Sequence, residues 1–491
     1  MMYTRSIVPA IACCLGIAAR FSAAAQTEMS VFTTTGRAAA TTFVTDYQAV
    51  GINPANLGWK WRFEDKHIAF GIAEGSYSIY SEALTRDDLR HRVINADADF
   101  TEEEKREAGR AFADAGATLN ADVMLVGAAF HSDKLGGFGF QVRDHAQWTS
   151  KFGPTMSELL FEGYRSDYFD LLVLVTGDTI SNFANLPEDS LALIASGLAS
   201  NPQLLATVLN GSNISFTWYR EFNLSYGRRI AHSENVDLYG GVGLKYLLGI
   251  GIIDMSAKDN TFNGFSSLSP YFDITYGDAA LNNPSRVTVR NTLLPQAVGT
   301  GYGLDIGLNA VIKEKWKVGA AVTNIGSINW TGNVYTADNG ALANLASNGL
   351  DNYNFFAGID DFVTNGGLLT WEGTSSRRVA LPTNARLGVG RTIGKIIEIG
   401  IDAVLPLNDE PGNYEKAVIG MGGDVRPLPW LQLSAGLVTG GNYDTKIPVG
   451  ITFTTPTGTW EAGVASRDAV TFFTDRKPTV SLSMGFLRFR F

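Results

Sequence analysis

Apolar and polar residues alternate with a period of two in many stretches of this chain. Between 301 and 310, one set of alternate positions is apolar, whereas the other set carries glycine, Asp305 and Asn309. The segments 138–143, 236–248 and 397–402 repeat the pattern. Because successive side chains of a β-strand point to opposite faces, the alternation predicts strands with one apolar and one polar face. The chain is therefore predicted to be all-β.

Short polar turns join these strands in pairs. Six such turns lie at 132–135, 231–235, 313–315, 394–395, 427–429 and 455–458. Further strands run from about 67 to 80 and from 479 to 491, which gives about fourteen strands. Sixteen is the alternative, because the long connections 257–298 and 333–382 contain extended segments of their own. Short turns at one end and long loops at the other predict a transmembrane antiparallel β-barrel.

The polar faces carry glycine and charges of both signs, which is typical of a packed and hydrated barrel lumen. The lumen-facing polar residues are predicted to be Asp305, Arg386, Arg391, Glu398 and Asp402. Since an unpaired buried charge is costly, most of them are expected to form ion pairs. A polar permeation path is the alternative. Trp316, Trp430 and Trp460 lie beside short turns, where an interfacial aromatic girdle is expected.

The last strand combines two features. Its apolar positions change parity between Phe486 and Leu487, and this change predicts a β-bulge. Leu487, Phe489 and Phe491 then form an aromatic C-terminus that resembles the signal recognised by the machinery that assembles outer-membrane barrels. Outer-membrane lipid and that machinery are thus the expected partners.

The first 25 residues have the features of a secretory signal peptide. Arg5 precedes an apolar run at 7–19, and alanines occupy 23–25. Both cysteines, Cys13 and Cys14, lie in this segment, so a chain cleaved near Ala25 has no disulfide and no thiolate. No later run of 18 apolar residues predicts a membrane-spanning helix.

Composition excludes several function classes. The net charge is −10 and no basic stretch is present, which argues against a nucleic-acid partner. The five histidines show no metal-ligand spacing, and the Gly-x-Gly pairs lie in strands with no helix after them. No metal, cofactor or catalytic residue is therefore predicted, and the chain is not expected to be an enzyme.

Residues 26–62 precede the first strand and contain Asn53, Pro54, Ala55 and Asn56. A tight turn at this position is predicted to fold into the lumen as a hatch or plug. The barrel with its loops then occupies 63–491.

The long loops carry helix signals. Thr101 and Glu104 form a capping box that predicts a helix ending near residue 115. In the loop 151–212, one helix is predicted from Pro187 and a second from Pro202. Their apolar positions are Leu191, Ile194, Leu198, Leu205 and Val208. Such a face either packs over the barrel mouth or forms a groove for an apolar ligand or a protein partner.

Taken together, the signal segment, the Asn53-Pro54-Ala55 element, about fourteen strands and Phe491 resemble the FadL-like superfamily of long-chain fatty-acid transporters. The stretch 322–330 (VTNIGSINW) is further similar to a poorly characterised Bacteroidota branch with PorV-related architecture. The resemblance implies an outer-membrane barrel in which hydrophobic compounds enter through extracellular loops and a hatch moves. It assigns no ligand-contacting residue.

Two functions follow as hypotheses. The first is passive uptake of small hydrophobic molecules, and the second is a non-transporting scaffold or accessory barrel in an envelope or secretion complex. An apolar pocket between the hatch and the 151–212 loop would favour the first. A sealed lumen with an apolar patch outside the loops would favour the second.

Overall fold

The structure is a computed structural model that describes residues 31–88, 99–183, 186, 191–274, 276–289, 295–353, 368–394, 396–414, 416–441, 443–469, 473 and 477–491. The predicted signal peptide, 1–25, lies outside these described residues. Within them, no helix is both long and apolar enough to cross a membrane.

The strands in chain order are β1 (Ile68–Ser81), β2 (Gly116–Ser132), β3 (Gly136–Lys151), β4 (Leu171–Leu174), β5 (Thr179–Ser181), β6 (Ile194–Leu204), β7 (Asn213–His232), β8 (Val236–Lys258), β9 (Thr261–Leu268), β10 (Gly299–Ile312), β11 (Trp316–Trp330), β12 (Val334–Ala337), β13 (Ala341–Leu345), β14 (Trp371–Gly373), β15 (Arg377–Ala380), β16 (Asn384–Ile393), β17 (Ile397–Pro406), β18 (Val418–Leu428), β19 (Leu431–Gly440), β20 (Tyr443–Lys446), β21 (Val449–Thr454), β22 (Trp460–Ser466) and β23 (Thr479–Arg490). The helices are Phe32–Thr35, Arg86–Asp88, Glu102–Phe112, Pro154–Glu162 and Leu205–Val208. Turns of 3-10 helix lie at Asp46–Ala49, Pro54–Gly58, Gly163–Arg165, Pro270–Phe272 and Gly277–Ala280.

Fourteen antiparallel strands close into a barrel. Their order is β1-β2-β3-β7-β8-β10-β11-β16-β17-β18-β19-β21-β22-β23, and β23 pairs with β1 from Ala69–Arg490 to Tyr80–Thr479. The prediction of fourteen strands is confirmed. Sixteen is wrong, because the extra strand of 257–298 is β9, which pairs only with the upper part of β8 and with β12.

The two faces of each barrel strand differ in the way that the alternation predicted. In β10, Tyr302 is 73% exposed and Leu308 is 50% exposed, whereas Asp305 and Asn309 on the other face are buried. The apolar face therefore covers the outside of the barrel, and the polar face lines its interior.

A β-bulge interrupts β23, as its change of parity predicted. The register between β22 and β23 shifts by one residue after the pair Glu461–Arg488. Phe486 and Leu487, which are consecutive, are consequently both exposed on the outer face. The bulge keeps Val480 and Phe491 on the same face although their positions differ in parity.

The barrel has a turn end and a loop end. At the turn end lie the short connections, the start of β1 and the end of β23. Trp316, Trp430 and Trp460 are each partly exposed at this end, in positions that suit an interfacial girdle. At the loop end, β9, β12 and β14 extend the wall, and β5, β4, β6 and β13 form a separate four-stranded sheet.

The helix predicted through Ile194 and Leu198 is wrong. These residues belong to β6, which pairs with β4 on one side and with β13 on the other. By contrast, the helix Glu102–Phe112 begins with the predicted capping box between Thr101 and Glu104.

Candidate functional site

A plug formed by residues 31–62 lies inside the barrel, mostly towards the turn end. Its turn Pro54–Gly58 is capped by the Asn53 side chain, which accepts a hydrogen bond from the Ala55 N–H at 3.1 Å. The Asn56 amide donates to the carbonyl oxygens of Thr41 and Val44 within the plug. Asn53, Pro54, Ala55 and Asn56 are all buried. The four predicted hatch residues thus hold the plug in its shape.

The same turn is hydrogen-bonded to the barrel wall. The Asn53 amide donates to the carbonyl oxygen of Leu308 at 3.3 Å, and the Asn309 amide donates to Asn56 Oδ1 at 3.1 Å. Both contacts join the plug to β10.

Glycines on the inner face form the surface on which the plug packs. A Cβ atom at Gly137, Gly227 or Gly241 would come within 3 Å of the backbone of the turn Pro54–Gly58. On the opposite wall, a Cβ at Gly420 or Gly422 would come equally close to the backbone of Arg37 and Ala38. These glycines therefore allow close contact with the plug, in addition to allowing curvature.

Buried charges fasten the plug to the wall. Asp46 accepts from Arg488 at 2.7 Å and from Arg490 at 3.3 Å, both in β23. Asp402 accepts from the backbone N–H groups of Ala40 and Thr41, each at 2.6 Å. These contacts satisfy donors that the plug backbone would otherwise bury without partners.

Above the plug, a layer of buried charge lies on the inner face of the neighbouring strands β7, β8, β10 and β11. Lys245 Nζ lies 3.1 Å from Glu221 Oε2 and 3.2 Å from Asp305 Oδ2, and it also contacts Asn324 Oδ1. The Asn223 amide donates to both carboxylates. The side chains of Lys245, Glu221 and Asp305 are 0–2% exposed, so this layer is closed to solvent.

Asn324 has a structural role within the stretch 322–330. It lies at a bulge in β11, opposite the Leu304–Ile306 segment of β10, and has a φ of 64°. Its N–H donates to Asp305 Oδ1 at 2.8 Å, and its side-chain amide donates to the Pro382 carbonyl oxygen. Asparagine tolerates this left-handed conformation better than most residues.

A polar pocket of about 610 Å³ lies between the plug and the loop end. It is lined by Gly51, Ala121, Asp122, His145, Ala146, Gln147, Thr217, Tyr219, Thr323, Asn324, Pro382, Asn384, Arg386 and Tyr414. Such a lining suits water and not an apolar ligand.

Of the five predicted lumen residues, the structure places Asp305, Arg386, Glu398 and Asp402 on the inner face. Glu398 contacts Arg426 at 3.0 Å and Arg37 of the plug at 3.6 Å. Arg391 is a correction: its side chain is exposed, and its guanidinium lies 4.8 Å from the centre of the Trp316 ring at the turn end. Arg386 and Arg391 are five residues apart in β16, so the period of two puts them on opposite faces.

An apolar pocket of about 640 Å³ lies at the loop end. Its lining is apolar except for Ser212 and Ser256, and it contains no charged residue. The other lining residues are Trp148, Phe152, Met156, Leu160, Leu209, Ile214, Met255, Ala257, Phe262, Leu368 and Leu369. The lining is typical of a site for a small hydrophobic molecule.

The helix Pro154–Glu162 contributes Met156 and Leu160 to the lining of this pocket, and the helix Glu102–Phe112 packs on it; we call the two the lid helices. The Ser157 hydroxyl donates to the Gly109 carbonyl oxygen at 2.7 Å, and Arg106 Nε lies 3.4 Å from Glu162 Oε2. Lys105 donates to Asp351 Oδ1 at 2.9 Å, which ties the first lid helix to the loop 331–353. Burial raises the pKa of Glu162 to about 7, although the Arg106 guanidinium opposes the shift.

The predicted apolar face of the 151–212 loop does not itself line the pocket. Leu205 and Val208 are buried in the same apolar cluster as Met156 and Leu160, and Ile194 is buried in the four-stranded sheet. Leu191 and Leu198 are half-buried. Sequence analysis missed Met156, Met255 and Phe262. Trp148 has the outward parity of Phe138 and Phe140 in β3, which is a signal for the pocket. Met255, by contrast, differs in parity from the exposed Leu244, and it faces outwards because the β7–β8 register shifts between Trp218 and Tyr219.

The three residues of the proposed assembly signal face outwards. Leu487 is 47% exposed and Phe491 is 60% exposed, and Phe489 is half-buried. Their recognition by an assembly machinery stays a prediction.

A model of a protein family described as "Family of unknown function (DUF5723)" matches residues 158–486. Among curated proteins, none matches the chain in sequence. Solved structures with a similar fold include the toluene transporter TodX of Pseudomonas putida, which is 10% identical with a TM-score of 0.41 and coverage of 95% of this chain and 98% of that one. The toluene transporter TbuX of Ralstonia pickettii is 10% identical with a TM-score of 0.42 and coverage of 94% and 99%. A FadL homologue of Pseudomonas aeruginosa is 12% identical with a TM-score of 0.38 and coverage of 95% and 98%.

Proposed function

The chain belongs to DUF5723, a family of unknown function, and we propose that it is an outer-membrane barrel for passive uptake of small hydrophobic molecules. In this proposal the loop end faces the outside of the cell and the turn end faces the periplasm, as in other outer-membrane barrels. The apolar pocket under the lid helices is the observation that carries the proposal, although no plug residue lines it and the pocket that borders the plug is polar.

The pocket lining defines the expected ligand. Aromatic and flexible side chains such as Trp148, Phe262 and Met255 adapt to varied apolar shapes. The absence of charge in the lining makes a charged group in this pocket costly. The expected ligand is therefore a small neutral hydrophobic molecule.

The test is photolabelling of the protein in lipid nanodiscs with a decane that carries a diazirine. Native protein is expected to be labelled on peptides that contain Met156 and Met255. Met255→Trp fills the pocket and is expected to reduce that labelling by about tenfold, which corresponds to 1.4 kcal/mol of affinity. In cells, the same variant is expected to slow uptake of the probe.

Met421→Trp is the matched control. Met421 is 46% exposed on the outer face of β18, away from the pocket, so the same substitution is expected to leave pocket labelling unchanged. Equal pocket labelling in native protein and Met255→Trp would contradict the proposal.

A non-transporting scaffold role is the second candidate, because the plug lies inside the barrel and is joined to both sides of its wall. A barrel without a through-path suits a partner in an envelope or secretion complex. Native purification with mass spectrometry tests this role. A stoichiometric protein partner without bound hydrophobic ligand would favour the scaffold, and bound ligand without a partner would favour uptake.

A further inference from the structure

The apolar pocket lies against the outer face of the barrel wall, not against the lumen. In β3, odd-numbered positions face inwards, since the Gln141 amide donates to the Tyr47 carbonyl oxygen of the plug. Even-numbered positions, including Trp148 of the pocket, therefore face outwards. The register pairs Trp148 with Phe216 of β7, and Phe216 with Ile253 of β8.

Two rows on this outer face show how its exposure changes with height. The row Phe140–Leu224–Leu244 is 36–61% exposed, as suits contact with lipid. Eight residues further along each of β3 and β7, the row Trp148–Phe216–Ile253 is only 5–7% exposed. The lid helices and the loops around them cover this upper row, although it continues the lipid-facing surface.

An ion pair separates the two rows. Arg220 donates to Asp144 through both Nε and a terminal nitrogen, at 2.6 and 2.7 Å, and both side chains face outwards. A charged pair is costly in hydrocarbon, so it marks the level at which the lipid headgroups begin. Trp148 lies four residues above Asp144, a distance of about 13 Å along the strand. The pocket thus begins directly above the lipid band.

The wall separates the apolar pocket from the lumen. Gln147 and Thr217 line the polar pocket, whereas their neighbours Trp148 and Phe216 face the other way. The two pockets share no lining residue, and one thickness of sheet lies between them. A ligand that left the apolar pocket through the lumen would also have to pass the polar pocket and the plug.

We propose that the apolar pocket exchanges its ligand with the outer leaflet of the membrane along the outer wall, and not with the lumen. The path crosses the row Ala146–Trp218, whose side chains share the outward parity of Trp148 although Ala146 also borders the polar pocket, and it passes the Asp144–Arg220 pair. This inference rests on the proposed function, because it assumes that the pocket binds a hydrophobic molecule. It specifies that this molecule is a neutral compound and that it comes from the membrane, in which it is dissolved.

Trp218 adds one detail to the ligand class. Its indole Nε1 is buried and has no hydrogen-bond partner among the described residues, and its ring lies edge-on to Phe272, 5.9 Å between centres. An indole N–H on this path suits a single hydroxyl or carbonyl oxygen of the ligand. The path therefore accepts neutral compounds with one such oxygen as well as pure hydrocarbons.

The experiment measures the rate at which the diazirine-bearing decane, dissolved beforehand in the nanodisc lipid, labels the pocket peptides. Ala146→Trp narrows the path and is expected to slow labelling about tenfold without changing its final extent, since it raises a barrier by about 1.4 kcal/mol. Ala146→Leu is the smaller change and is expected to give an intermediate rate.

Two controls separate the routes. Ala128→Trp places the same bulk on the outer face of β2, in the lipid band beside Phe140, and is expected to have no effect. A disulfide between cysteines at 56 and 309, whose native side chains are hydrogen-bonded, fixes the plug and is also expected to have no effect.

The outcomes are distinguishable. Slower labelling in the plug-fixed protein but not in Ala146→Trp would overturn the outer-wall route in favour of the lumen. Labelling by probe added from water, but not by probe held in lipid, would overturn the membrane source. No pocket labelling in native protein under either condition would refute the proposed function itself.

Discussion

Adjacent glycines in β8 allow a direct test of how the plug packs. A Cβ at Gly241 would come within 3 Å of the Pro54 and Ala55 backbone, whereas one at Gly240 would lie 3.4 Å from a terminal methyl of Ile230. We expect Gly241→Ala to displace the turn Pro54–Gly58 and to cost about 1–3 kcal/mol, the usual range for overpacking. Gly240→Ala should cost less than about 0.5 kcal/mol.

Urea unfolding of the two variants in detergent measures this difference. A maleimide probe that reacts with a cysteine at position 57 of the plug would report its displacement. Equal unfolding midpoints and equal reactivity for both variants would show that the plug does not pack on Gly241 as described.

At the scale of elements, Glu162 makes the lid helices sensitive to pH. Burial raises the pKa of Glu162 to about 7 in the folded protein, whereas an exposed glutamate titrates near about 4.3. The folded lid therefore binds a proton more tightly than the unfolded segment does. Its stabilising contribution is complete below the unfolded pKa and is lost as the pH rises through about 7.

We accordingly expect amide exchange in Pro154–Glu162, corrected for the intrinsic rate, to be faster at pH 8 than at pH 5. A difference of about tenfold in the exchange rate corresponds to a difference of one unit between the pKa values of Glu162 in the folded and unfolded segment. Glu162→Gln should remove most of the pH dependence, while Glu107→Gln, at an exposed position of the first lid helix, should retain it. Equal pH dependence of amide exchange in the two variants would contradict this expectation.

Sequence patterns predicted barrel strands well and loop elements poorly, for a physical reason. A barrel strand is amphipathic and bounded by polar turns, so both of its signals are local. In the loop 151–212, Ile194 and Leu198 also fit a helical spacing, and only their pairing with β4 and β13 makes them a strand. The pairing with β13 joins Leu198 to Asn344, far along the chain, and no local pattern records it.

The candidate site was even harder to predict, because its residues are far apart in the sequence. The hatch residues Asn53 to Asn56 could be identified because a tight turn precedes the first strand. The apolar pocket could not, since its lining comes from β3, β7, β8, β9 and three loop segments. Arg391 was misplaced because its polarity was given more weight than its parity in β16.

At the scale of the whole molecule, the plug joins the first and last strands of the barrel. Asp46 binds Arg488 and Arg490 of β23, while the Gln48 amide donates to Glu74 of β1 at 2.8 Å. Gln48 Oε1 also accepts from Arg488 at 2.6 Å. The plug therefore spans the seam at which β1 and β23 close the ring, and barrel stability should depend on it.

Asp46→Asn tests this dependence, because asparagine keeps the size of the side chain and tolerates the φ of 51° at this position. The substitution leaves Glu461 as the remaining carboxylate ion-paired with Arg488 and Arg490 among the described residues. We expect a loss of about 3 kcal/mol, as for other buried pairs that lose one partner. The midpoint of urea unfolding measures the loss, and Asp133→Asn, at an exposed turn, is the control. If both variants unfold at the native midpoint, closure of the barrel does not depend on the plug.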